Sequence, residues 1–107
     1  MFMLAGRYSL MSKMIANRRV TINNPQGLHL RPGELFVRLA AQFESQIEVI
    51  SGDRRVDGKS LIDLCTLGAT QGMELEIEAS GPDAEAALEA LAELIQKASV
   101  DDMLAEQ

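Results

Sequence analysis

"MELEIEASGPDAEAALEALAELI", Met73 to Ile95, changes its hydrophobic period halfway along. Met73, Leu75, Ile77 and Ala79 alternate with Glu74, Glu76 and Glu78, the two-residue period of a strand with one face in a core and the other in water. After Gly81, apolar residues recur at Ala84, Ala87, Leu88, Leu91 and Ile95, the stripe of an amphipathic helix, and Pro82 suits its first turn. A strand that buries one face, followed at once by a helix that buries one stripe, predicts a sheet covered on one side only.

The rest of the chain extends that pattern upstream. "KSLIDLCTLG" (59–68) reads as a short helix, with Ser60 as N-cap, Asp63 three residues on and Gly68 as a stop. "QIEVI" (46–50) alternates, "SGD" turns, and Arg54 to Val56 returns as the second arm of a hairpin. From Leu30 to Phe43, the spacing of Phe36, Leu39, Ala40 and Phe43 marks one helix face. "RRVTINN" (18–24) is a strand with Val20 and Ile22 inward and Arg19, Thr21 and Asn23 outward, ended by Asn24, Pro25 and Gly27. The order β, α, β, β, α, β, α predicts an α+β fold: an open-faced β-sandwich, a four-stranded antiparallel sheet covered on one face by three helices. The expected domain spans 18–98. Residues 1–17, with four of the six methionines, read as a poorly ordered extension in which Met11 and Met14 are alternative starts, and 99–107 as an acidic tail.

Composition narrows the function. One domain is the default for 107 residues, and 47% apolar with 24% charged residues is globular rather than disordered composition. A net charge of −6, without a basic run or an aromatic series, opposes binding to nucleic acid. Cys65 stands alone, so no intramolecular disulfide forms, which suits a reducing compartment. One Cys and one His do not make a zinc or haem site, and no loop has EF-hand spacing, although a carboxylate-only metal site stays conceivable. No metal or cofactor is expected. No apolar run approaches the roughly 20 residues needed to span a bilayer, and the opening residues make a poor signal sequence, so the expected location is the cytoplasm.

The only histidine, His29, sits in "GLHLRP" (27–32), just ahead of the Leu30–Phe43 helix. The first turn of a helix presents amides without intrahelical acceptors, and the macrodipole adds positive charge there. An N-cap imidazole would carry a phosphoryl group toward the backbone amides of Leu30 and Arg31, and the Arg31 guanidinium adds a fork suited to phosphate. An ordinary imidazole, with a pKa of roughly 6.5, is largely neutral and nucleophilic in neutral solution. Pro32 belongs in a first turn, yet it biases Arg31 away from helical angles, so a start at Pro32 competes with one two residues earlier. Spacing alone leaves a second reading open, in which His29 is an ordinary loop residue.

"GLHLRPGELFVRLAAQF" together with "DGKSLIDLCTLGATQGMELEIEASGPDAEAALEAL" resembles the HPr family, the histidine-containing phosphocarriers of the phosphoenolpyruvate-dependent phosphotransferase system, over about Val20 to Ile95. The resemblance implies that His29 takes a phosphoryl group on Nδ1 from enzyme I and gives it to an EIIA component, with Arg31 neutralising the travelling charge. The protein would be a monomeric carrier rather than an enzyme with a substrate turnover of its own. Ser60 matches the family's regulatory serine, the target of HPr kinase/phosphorylase, a role compatible with that of an N-cap. Leu61, Ile62 and Cys65 match its apolar docking patch, with a buried Cys65 as the alternative. Arg38 lies on the partner-facing helix, where it meets acidic partner surface or is simply solvated. Leu30 stands where the family has a small residue, Gly33 where it has Ala, and Gln26 where a short polar residue is common; Gly33 should cost the helix up to about 1 kcal/mol. A regulatory binding module controlled by phosphorylation at Ser60, with His29 idle, and a plain structural domain remain the competing readings.

Overall fold

The computed structural model describes residues 14–25, 27, 28 and 30–96, Leu30 by its backbone alone. The expectations for residues 1–13, for Gln26 and His29 and for the 99–107 tail therefore fall outside the described residues. Strands β1 (Ile15–Thr21), β2 (Gln46–Ser51), β3 (Arg54–Asp57) and β4 (Glu74–Ser80) form one antiparallel sheet in the order β1-β4-β2-β3. Helices α1 (Leu30–Ala40), α2 (Leu61–Cys65) and α3 (Ala84–Ile95) complete the expected βαββαβα order. None of the described helices is long and apolar enough to cross a membrane.

The inward residues of the sheet are those that alternation selects. Val20, Ile22, Ile47, Val49, Leu75, Ile77 and Ala79 join Phe36 and Ala40 of α1, Leu64 of α2, and Ala84, Ala87, Leu88, Leu91, Ala92 and Ile95 of α3 in one buried cluster. Each of the larger side chains contributes about 1.5–3 kcal/mol by leaving water. Strand β4 is central, hydrogen-bonded to β1 on one side and β2 on the other. Its alternation is therefore the cleanest in the chain.

Several boundaries differ from expectation; α3 begins at Ala84, so Pro82, expected in its first turn, precedes the Asp83 cap and lies outside the helix. Strand β1 begins at Ile15 rather than after residue 17, since Ile15, Ala16 and Asn17 pair with Ser80, Ala79 and Glu78. The alternation is hidden because Arg18 occupies an inward register position at the sheet edge, where it lines a groove with Glu89 and Glu93 of α3. Helix α1 ends at Ala40 rather than Phe43: Gln42 and Phe43 donate to Leu39 and Ala40 at 3.0 and 3.1 Å, three residues back instead of four. The tightened turn keeps Phe43 against the core while ending the α-helix.

On the outer face Glu48 and Glu78 lie directly opposite one another, a destabilising juxtaposition of like charges unless a cation intervenes. Arg55 supplies it, donating to Glu48 at 2.5 Å and to Glu78. Those two hydrogen bonds, Glu48's first, hold its guanidinium above its ordinary pKa. Asn17 donates to Glu76 at 2.7 Å, and Arg19 lies 3.8 Å from Glu74. The glutamates that alternation assigns to water are thus partnered across the strands.

Asp83, the residue before α3, ties that helix to the start of β2. Its carboxylate accepts from the amides of Glu44 and Ser45, each at 2.9 Å, and from the Ser45 hydroxyl at 2.5 Å. The Ser45 hydroxyl first, then the Glu44 amide, hold the Asp83 carboxyl below its ordinary value of 3.8. A lowered folded pKa gives stability that is present above the ordinary value and lost as pH falls through the lowered one. Asp83→Asn should therefore lower the urea midpoint at neutral pH, with the gap from the parent closing on acidification below about pH 4. A gap independent of pH would show that the charge of Asp83 does not contribute.

Candidate functional site

Position 29 is approached through a stretch whose backbone has little freedom. Gly27 adopts φ +63°, and its amide donates to the Asn24 carbonyl at 2.9 Å. A Cβ at Gly27 would stand 2.3 Å from the Ala69 carbonyl oxygen, so only glycine meets both the left-handed angle and the close approach. The amide of the next residue, Leu28, donates to that same carbonyl at 3.1 Å, and the Leu28 side chain is buried. Further back, Ile22 and Met73 pair at 3.0 Å and Gly72 donates to Ile22 at 2.8 Å. The chain before position 29 is thus laid along the segment between α2 and β4.

Helix α1 opens at Leu30. The competition over Pro32 is resolved in favour of the earlier start, and position 29 immediately precedes the first helical residue. Pro32 is buried in the first turn, where its missing amide breaks no regular helical bond. The backbone of Leu30 and Arg31 therefore belongs to the turn whose amides a helix leaves without internal acceptors. His29 itself lies outside the described residues.

Arg31 is half-exposed and donates through Nη1 to Glu34 Oε1 at 2.8 Å, while Arg38 Nη2 lies 4.0 Å from Glu34 Oε2. Sequence reading picked out both arginines and missed Glu34 between them. The signal was present, since opposite charges three and four residues apart share a helix face.

Helix α2 packs on α1 at Gly33, where an added Cβ would lie 3.1 Å from Leu61 Cδ1. The small residue that costs α1 some helix propensity thus lets Leu61 approach closely. Ile62 is 76% exposed, unusual for an isoleucine, and Cys65 beside it is exposed too, so the buried alternative for Cys65 is corrected. A five-residue helix has too little length to bury both faces; Leu64 alone takes the core side. Ser60 is the N-cap, its hydroxyl accepting from the Asp63 amide at 3.3 Å. The reciprocal half of a capping box is absent, because the Ser60 amide donates to Asp57 at 3.2 Å instead. At the other end Arg54 donates to the Thr66 carbonyl at 2.5 Å and its hydroxyl at 3.0 Å, a cation at a helix C-terminus that sequence reading also missed.

This architecture is shared with known carriers. The solved structure of a phosphocarrier protein HPr from Bacillus anthracis matches with a TM-score of 0.76 and 35% identity, covering 78% of this chain and 99% of that one. The class is therefore that of small open-faced sandwich phosphocarriers. The family model described as the PTS HPr component phosphorylation site matches residues 16–97, and the chain belongs to the HPr family of the phosphotransferase system. A phosphocarrier protein HPr of Neisseria meningitidis is 41% identical over 76 residues, 71% of this chain and 85% of that protein. A multiphosphoryl transfer protein of Vibrio cholerae is 48% identical over 73 residues, covering 65% of this chain and 18% of that protein.

The glycine constraint is separable into its two parts. Gly52 has nearly the same angle, φ +62°, but open space around it. Gly52→Ala should cost only the backbone term of about 1 kcal/mol, whereas Gly27→Ala should cost at least about 1 kcal/mol more because the Ala69 carbonyl must move. Denaturant midpoints of the two variants compare them; equal losses would remove the role assigned to the Gly27–Ala69 contact.

Proposed function

We propose that the protein is a phosphoryl carrier in which His29 accepts a phosphoryl group on Nδ1 from phosphorylated enzyme I and donates it to an EIIA component. The observation that carries this reading is the fixed frame around position 29: Gly27 and Leu28 held on Ala69 before it, and α1 opening directly after it. A neutral imidazole there would offer its lone pair to phosphorus. The opening amides of α1 and the Arg31 guanidinium would receive the oxygens, so that catalysis is mainly positioning and electrostatics. Dipole stabilisation of about 0.3–1 kcal/mol at an exposed helix end holds the group without trapping it.

The exposed Ile62, with Leu61 and Cys65, supports a partner-docking role for α2, and Arg38 adds a cation one helix away. Ser60 begins that helix, which favours a second, compatible role as a regulatory phosphosite for an HPr kinase/phosphorylase. A phosphate on Ser60 would set about two negative charges beside the apolar patch and weaken docking there.

Incubation with enzyme I and phosphoenolpyruvate should give acid-labile phosphate on the parent chain and none on His29→Ala. Label that persists in the variant, or none on the parent while a control carrier is charged, would overturn the reading. Ile62→Ser should raise the KM for phosphoryl transfer from enzyme I severalfold with little change in kcat, since exposed patch residues act in docking rather than in the chemical step. An unchanged KM would take Ile62 out of the docking surface.

A further inference from the structure

We infer that Glu34 is a positioning residue which, by holding the Arg31 guanidinium, lowers the stability of the phosphorylated carrier and so tunes the direction of transfer. The inference rests on the phosphocarrier reading and deepens it. Glu34 divides its carboxylate between two cations: Oε1 accepts from Arg31 at 2.8 Å, and Oε2 faces Arg38 at 4.0 Å. The three side chains are 42%, 45% and 61% exposed for Arg31, Glu34 and Arg38, so the cluster lies at the surface and not in the core.

Transfer from one histidine to another forms one N–P bond while breaking another. The lone pair of the accepting imidazole makes the new bond, and the donor ring keeps the pair of the broken one. The proton that the first ring sheds matches the one the second regains. No oxidant, reductant or net proton is consumed. With like bonds exchanged, the equilibrium is set by the surroundings of the two phosphohistidines, and small electrostatic differences decide it.

Arg31 has five N–H donors in a rigid fork, and Glu34 engages one end of it. A phosphoryl dianion arriving at the entrance of α1 must share that fork with the Glu34 carboxylate and is repelled by its charge. Arg38 lies four residues beyond Glu34, the favourable order for an acid and a base on one helix. It offers Glu34 a second partner when Arg31 turns away. Glu34 therefore weakens the hold of Arg31 on the group without abolishing it.

The equilibrium constant for phosphoryl exchange with enzyme I, read at completion from 31P signals of the two phosphohistidines, tests this. Glu34→Gln keeps the side-chain volume and should shift the constant toward the phosphorylated carrier by about two- to fivefold, the range of a single exposed ion pair. Glu34→Asp should stay near the parent value. In an Arg31→Ala background Glu34→Gln should shift it by less than half as much. An unchanged constant in Glu34→Gln, or an equal shift in both backgrounds, would sink the inference. A parent chain that takes no label would instead remove the phosphocarrier reading on which it stands.

Discussion

The contact between Gly27 and the Ala69 carbonyl joins two halves of the molecule that are distant in sequence. On one side lies the stretch from β1 to α1; on the other lies the stretch from α2 to β4. Because β1 and β4 are also paired along their whole lengths, the ladder of the sheet delivers both stretches to the same end of the sandwich. The loops are then locked by Ile22 with Met73 and by Leu28 with Ala69. A helix entrance positioned only by its own loop would wander, since loops lack the buried contacts that rigidify elements. Here the entrance inherits the rigidity of the two strands beneath it.

The same packing explains why the exposed apolar residues sit where they do. Gly33 brings α2 close to α1 through Leu61, and the shortness of α2 leaves Ile62 and Cys65 uncovered by the described residues. Arg54, reaching from the hairpin, holds the end of α2 at Thr66. The patch is therefore presented by a helix fixed at both ends, by Ser60 at its start and Arg54 at its finish. If Ile62 docks a partner as proposed, a rigid mount favours it over a loose loop, because little ordering entropy opposes the association.

What the sequence made legible followed from periodicity and caps. The burial faces of the β4–α3 stretch were readable, because a central strand and a helix over it each have one clean face, although α3 begins at Ala84 and leaves Pro82 outside its first turn. Ser60 as a cap was equally readable, its signal being local. The departures have separate physical causes. Ile15 to Asn17 read as an extension because Arg18 breaks the alternation at an edge, where it lines a groove with Glu89 and Glu93. The end of α1 was misjudged because Phe43 stays on the apolar face after the bonding has tightened. The roles of Gly27, Glu34 and Arg54 depend on partners: a carbonyl 42 residues away, a guanidinium on either side, a helix end met across a hairpin. Only Glu34 left a local trace, in its spacing from two arginines.

The charge arrangement suits the requirement that the proposed shuttle would place on its anion site. A chain of net charge −6 carries Arg31 and Arg38 of α1 on a partly exposed face, with the single carboxylate of Glu34 shared between them. Buried, unopposed arginines would bind a dianion far more firmly, since pairing in low dielectric is strong and release would strand charges away from water. In the proposed carrier, water and a competing carboxylate would both weaken the hold without removing the fork geometry that orients the group. For the carrier proposed here, geometry and affinity are thereby uncoupled: the helix entrance and Arg31 determine where the phosphoryl group rests, while solvent and Glu34 keep it from resting there for long.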